Sequence, residues 1–279
     1  MPIHDQSYRR YQGVRLPVTG AWTIIAAHGL MSFLRRRAFL AVMVAAWIPF
    51  VVYAVRIYFA ANFSQASVLA PTPDMFRQFL DNQGFWIFIV TIYVGAGLIA
   101  NDRRANALQL YLSKPLTRTE YVAGKMAVLV TFLLAITLIP TILLLLLQVV
   151  FYGSFAFARA NLGLVPSITL ASLVDTFVNA FVMLAISSLS KSARFSGIVY
   201  AGVALFSHAV FGLLTLITGG TRVAWVSFIA NLEQTGDVIF RVAPRYEVPA
   251  AVSFIALAAL IIVPIFILER RVRGVEVIA

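Results

Sequence analysis

No cysteine occurs in the 279 residues, which removes disulfides, thiolate metal sites and a cysteine nucleophile. Charge is also scarce. Only 12% of residues are Asp, Glu, Lys or Arg, and 61% are hydrophobic. A soluble domain of this length needs far more polar surface to cover its core. The three histidines, His4, His28 and His208, are too far apart for metal-ligand spacing. No G-x-x-x-x-G-K-[ST] phosphate loop, H-E-x-x-H pair or G-x-S-x-G elbow is present. The chain thus offers no cradle for nucleotide phosphates and no recognisable catalytic constellation, so an enzyme is not expected. There is no obvious internal repeat, low-complexity tract or polar stretch long enough for a separate soluble domain.

What the chain has instead is long apolar runs. A membrane span needs roughly 20 apolar residues, because a helix rises about 1.5 Å per residue across about 30 Å of hydrocarbon. Six segments qualify, near 38–59, 84–101, 121–151, 166–189, 195–218 and 249–268. The expected fold is a single all-α, polytopic membrane domain over residues 1–279. The first run directly follows Arg35-Arg36-Arg37 and reads as a retained signal anchor rather than a cleaved leader.

Charge then orients the spans. With both termini on one side, that side receives 16 of the 22 basic residues and five acidic ones, a net +11. The other side receives six basic and five acidic residues, a net +1, and Asp175 lies in the membrane. The positive-inside rule makes the basic side cytoplasmic and places both termini there, in a cell (inner) membrane. Topology therefore accounts for the net charge of +11 without nucleic acid as a partner.

Residues 18–34 read as an interfacial helix carrying Trp22, Ile24, Ile25, Phe33 and Leu34 ahead of the basic cluster, with an N-terminal extension of the first span as the alternative. Outside, residues 60–83 hold a helical-looking stretch at 74–80. Residues 219–248 hold Trp225, Phe228, Leu232, Ile239 and Phe240, too apolar for a free loop, and predict short helices lying at or dipping into the outer surface. Pro140 and Pro264 predict kinks, while Gly95, Gly97 and Gly197 predict close helix approach. His208, in the fifth span, is expected to be packed and hydrogen-bonded.

Two constellations stand out. The first is the segment at 101–120 on the basic side. Asn101 or Asp102 is placed to cap a short helix to about Leu112, which Lys114-Pro115 ends. Thr117 or Thr119 is placed to cap the next helix, with Glu120 in its first turn. A short helix with apolar and polar faces across the mouth of two spans suits a groove on a soluble partner, or a connection resting on headgroups. The second is Ser172, Asp175, Thr176 and Asn179, spaced three and four apart on one face of the fourth span. A central Asp costs roughly 2.5–3.5 kcal/mol to insert, so it faces protein or water. This face is either a wall of a translocation path or an interhelical hydrogen-bonding strip. Arg159 is the nearest basic residue in sequence, but Asp175 lies roughly 14 Å down the helix from its outer end, so direct pairing is expected only if the loop folds inward.

The segment Leu112-Ser113-Lys114-Pro115-Leu116-Thr117-Arg118-Thr119-Glu120, ending in Gly124-Lys125, follows a span that ends in small residues and a charged break. It resembles the docking loop of permeases of the ABC type-2 exporter family. The short basic ending Glu269-Arg270-Arg271-Val272-Arg273 is similar to theirs as well. The break itself departs from the family: Asn101-Asp102-Arg103-Arg104 and Ala105-Asn106-Ala107 stand where members often have a Glu-rich break followed by Gly-Thr. The resemblance implies a cytoplasmic coupling helix at 102–112 that docks two copies of a separate ATPase, which would bind the ATP, since this chain holds no cofactor. It also implies pairing with a second permease copy or a paralogue. The residues expected to carry coupling are Asp102, Arg103, Arg104, Leu108, Tyr111, Pro115 and Arg118. The competing expectation is an ion- or proton-coupled secondary transporter that titrates Asp175.

Overall fold

The computed structural model describes residues 20–107 and 117–272. Every regular element among them is helical, and six helices are long and apolar enough to cross a membrane. These run Arg37–Asn62, Pro73–Arg104, Arg118–Tyr152, Leu164–Leu189, Ala193–Thr218 and Ala250–Arg271. The fold is thus an all-α polytopic membrane protein. Within bilayer-length windows the second, third and fourth spans are 56%, 56% and 61% buried, the first, fifth and sixth only 17%, 22% and 22%. The middle three form the centre of the bundle and the others its periphery. Between lipid-immersed helices, packing and hydrogen bonds hold the structure rather than water exclusion, so close contacts matter more than buried area.

A separate helix, Ala21–Leu34, precedes the first span. Arg36 is extended (φ −93°, ψ 113°), which breaks the chain between the two, so this helix is not an extension of the span. It packs along the third span. Gly124 makes that approach possible: a Cβ there would lie 2.8 Å from the Ile25 side chain and 2.9 Å from the Trp22 carbonyl oxygen. Phe33 and Phe39 each meet Phe132 edge-to-face, with Phe39 and Phe132 centroids 4.7 Å apart, fixing the helix, the first span and the third together.

The first and third spans are each interrupted near proline. Trp47 (φ −90°, ψ −4°) breaks the first just before Pro49, and the buried Gln83 donates to the Ala46 carbonyl there at 3.3 Å. Thr137 (φ −109°, ψ −71°) breaks the third three residues before Pro140, whose missing N–H leaves the Ile136 carbonyl without its helical donor. Pro264 lies inside a helix that continues past it.

Span boundaries differ from the hydropathy reading mainly in the second helix, which begins at Pro73 rather than near 84. Thr72 caps it, accepting from the Met75 N–H at 3.3 Å. The stretch 74–80 is therefore its first turns, not a separate outer piece. Arg77 and Asp81 lower the local hydropathy but pair at 2.6 Å, so the charges do not end the helix.

Between the fifth and sixth spans a short turn, Ala224–Val226, leads into the helix Phe228–Phe240. The expected short helices are present, and of the two placements expected this second one dips into the bundle. Phe228, Asn231, Gln234, Thr235, Gly236, Asp237 and Phe240 are all buried, and it packs against the second, fourth and sixth spans.

Candidate functional site

The second span is irregular where it crosses the fifth. It forms a π-turn at Thr91–Gly95, and the fifth forms one at Gly202–Phe206. Such turns widen a helix by one residue and recur at functional sites. After its π-turn the second span passes through non-helical turns to Ala100, where backbone groups lose their helical partners. Ser187 of the fourth span repairs this: its Oγ donates to the Ala96 carbonyl at 2.9 Å and accepts from the Ile99 and Ala100 N–H groups at 3.2 and 3.0 Å. Close approach here depends on glycine. A Cβ on Gly95 would lie 2.4 Å from Met183, and one on Gly197 3.1 Å from Ile92.

Two cavities lie on either side of this crossing. The larger, about 1110 Å³, opens towards the end of the bundle rich in arginine and lysine, and His28, Arg36, Asn101, Asp102, Lys125 and Arg194 are on its walls. The smaller, about 450 Å³, lies towards the other end, with Arg77, Asp81, Asp175, Asn179, Tyr200 and Glu233 on its walls. Ile92 and Gly197 border the first cavity, Phe88 and Tyr200 the second. Between them the chain is closed. Tyr200 is 1% exposed, stacks on Phe88 at 5.8 Å, meets Phe228 edge-on at 6.3 Å and donates its hydroxyl to Asn179 Oδ1.

The polar face predicted on the fourth span is thus divided. Asp175 and Asn179 line the smaller cavity, while Ser172 and Thr176 are fully buried beside it, their hydroxyls without partners among the described residues. The Asp175 carboxylate likewise has no hydrogen bond or ion pair among the described residues. The guanidinium whose charge acts on it belongs to Arg77 of the second span, not Arg159.

Sequence reasoning missed the charged cluster that roofs this cavity. Arg77, 5% exposed, binds Asp81 at 2.6 Å, Asp237 at 3.0 Å and the Glu233 carbonyl at 2.8 Å. Arg245 reaches Asp237 at 2.8 Å, Asp81 at 2.7 Å and Glu233 at 3.7 Å. Tyr246 donates its hydroxyl to the Glu233 carboxylate. Gly236 lets the Arg77 guanidinium lie against the buried helix, since a Cβ would sit 2.5 Å from Arg77 Cζ. Partial burial works against the charge on Arg245, but the carboxylates of Asp237 and Asp81 outweigh it and raise its pKa. Burial, reinforced by the Glu233 carboxylate, raises the pKa of Tyr246. The spacing Arg77/Asp81 and Glu233/Asp237, four apart in each case, marks two helical faces, but nothing local shows that they meet.

At the basic end, Asp102 is not a helix cap. It sits within the turn Ala100–Arg104, where its carboxylate accepts from the Tyr121 hydroxyl at 2.7 Å and pairs with Lys125 at 2.7 Å. Arg103 donates to the Ser188 carbonyl. These three ties bind the end of the second span to the third and fourth. Arg104 and Arg118 are exposed. Thr117 and Glu120 form a reciprocal capping box, as the spacing predicts. Leu108, Tyr111 and Pro115, with the rest of the expected 102–112 helix beyond 107, lie outside the described residues. His208 Nδ1 lies 3.1 Å from Ser227 Oγ, the packed and hydrogen-bonded setting expected of it.

No protein-family model matches the chain, and no curated protein aligns with it significantly. The class is set by the fold alone: a multi-pass membrane protein.

Proposed function

We propose that this chain is the membrane subunit of a transporter that exposes a central site alternately to the two sides of the bilayer. One observation carries the reading: two cavities open on opposite sides of a single closed crossing of the second and fifth spans, and Tyr200, Phe88, Ile92 and Gly197 form the plug. A packed plug with two discrete arrangements is how such bundles switch. The two π-turns and the small residues at the crossing are features that let one helix shift against another.

The energy source we assign is a separate ATPase, as in ABC type-2 exporters. Support comes from the 95–125 resemblance and from the mechanical layout around it. Asp102–Tyr121, Asp102–Lys125 and Arg103–Ser188 make the segment's root continuous with the second, third and fourth spans. A push on 102–112 would reach the plug through the second span. Two ATPases would bind beneath a pair of permeases in the inner membrane, with both termini cytoplasmic. Affinity purification in mild detergent is expected to bring down an ATPase, and Leu108→Asp is expected to abolish transport while leaving insertion intact. Unchanged transport-linked ATP hydrolysis in that variant would refute the coupling. A second reading, an ion- or proton-coupled transporter, draws on the unpaired Asp175. It requires purified chain alone to transport down a pH gradient without ATP.

A further inference from the structure

The smaller cavity has more negative charge than its surroundings balance. Arg77 and Arg245 face Asp81, Glu233 and Asp237, which leaves that cluster one negative charge in surplus. Asp175 adds a further carboxylate, which no donor meets among the described residues. Arg77 acts on it only from a distance, because its three guanidinium nitrogens are held by Asp81, Asp237 and the Glu233 carbonyl. An ionised carboxylate in a mostly apolar chamber is costly, and the cost is relieved by a proton or by a cation that joins it.

The rest of the chamber fixes the kind of cation. Phe85 and Phe88 border the chamber, with the buried Tyr200 stacked against Phe88, and aromatic rings attract a cation as well as an apolar body. A volume of about 450 Å³ is that of a small-molecule site. A bare metal ion would need several converging oxygens, and the described residues contain no group of three or more His, Cys, Asp or Glu placed to hold one. The rim also matters. Phe85 and Leu205, which border the cavity, are 63% and 55% exposed on the flank of the bundle, so the chamber is reachable from the lipid side between the second and fifth spans.

We propose that the cavity between the second, fourth and fifth spans and the buried outer helix binds an amphiphilic organic cation, with Asp175 as its counter-charge and the aromatic wall as its apolar seat. This deepens the transporter reading and rests on it only for the statement that the bound molecule is cargo. The binding itself is a property of the isolated chain.

Tetraphenylphosphonium and tetraphenylborate share a shape and differ in the sign of charge, so they isolate the electrostatic claim. Purified full-length chain in lipid nanodiscs is expected to bind the phosphonium saturably and the borate only as empty nanodiscs do. Asp175→Asn, nearly isosteric, should weaken phosphonium binding about tenfold or more, the loss of one desolvated charge contact. Asp74→Asn, an exposed carboxylate at the same end of the bundle, should change nothing. Leu205→Trp, which narrows the lateral mouth without altering charge, should also weaken binding, and it carries the test if Asp175→Asn does not fold. Equal binding of the two ions, or equal effects of Asp175→Asn and Asp74→Asn, would overturn the proposal. No ATPase is present in this assay. Failure here would leave the partner-driven reading intact, and a missing ATPase in the purification would leave the site intact.

Discussion

Replacing Asp237 by Ala should destabilise the protein more than any other removal of a single carboxylate at this end of the bundle. The carboxylate is 1% exposed and accepts from Arg77 Nε at 3.0 Å, Arg245 Nε at 2.8 Å and Nη2 at 2.9 Å, and the Arg245 backbone N–H at 3.3 Å. Breaking a buried ion pair by removing one partner costs about 3–5 kcal/mol, because the other charge stays buried. Two contacts soften this. Arg77 keeps Asp81 at 2.6 Å and the Glu233 carbonyl at 2.8 Å. Arg245 has a side chain one-third exposed and can turn to solvent, so its share is that of a surface pair. The expected loss is therefore at the lower end, about 3 kcal/mol. The internal control is Glu247→Gln, whose partner Arg222 is 86% exposed at 3.6 Å; that change should cost about 0.5 kcal/mol or less. Reversible unfolding from mixed micelles by titrated denaturing detergent would measure both. A loss below about 1 kcal/mol for Asp237→Ala, or one equal to that of Glu247→Gln, would refute the claim that this cluster locks the helix Phe228–Phe240 to the second span.

Gly124→Ala should destabilise by about 1–3 kcal/mol, since its Cβ meets the Trp22 carbonyl, a backbone atom that cannot rotate away. Gly212→Ala, in a helix with nothing within 4 Å of the new Cβ, should be neutral or stabilising by up to about 1 kcal/mol; the two melting curves moving together would count against this packing. Tyr246 has a folded pKa raised above its ordinary 10.0, so the stability it contributes is fully present below pH 10 and is lost only as pH rises through the higher folded value. The ultraviolet difference between the parent and Tyr246→Phe should show phenolate forming above pH 10, and a midpoint at or below 10.0 would contradict the partial burial of Tyr246 and its bond to Glu233. Because the chain has no cysteine, single cysteines at Arg118 and Arg222 need no altered background. Impermeant maleimide should label them from opposite faces of the membrane, and labelling of both from one face would rule out the six-span alternation.

Hydropathy made the six spans legible because insertion energy is nearly additive along a helix and needs no knowledge of neighbours. The capping box at Thr117 and Glu120 was legible for the same reason, since both partners lie within one turn. The start of the second span was not: Arg77 and Asp81 count as polar in any window, and only their burial against Asp237 makes them part of a membrane helix. Spacing grouped Ser172, Asp175, Thr176 and Asn179 on one face, but it could not divide them between a cavity and a packed seam. Asp102 read as a cap because Asp commonly is one. Its use by Tyr121 and Lys125 depends on the third span lying alongside.

The linear order of residues determined a multi-pass helical membrane protein with six helices long and apolar enough to span, because this depends on local transfer energies and short-range counts. Tertiary packing alone decided that the helix Phe228–Phe240 is buried, that charges 160 positions apart meet at Arg77 and Asp237, and that Asp175 stands unpaired in a chamber. Electrostatic pairing and enclosed volume are properties of neighbours in space, and no window along the chain contains them.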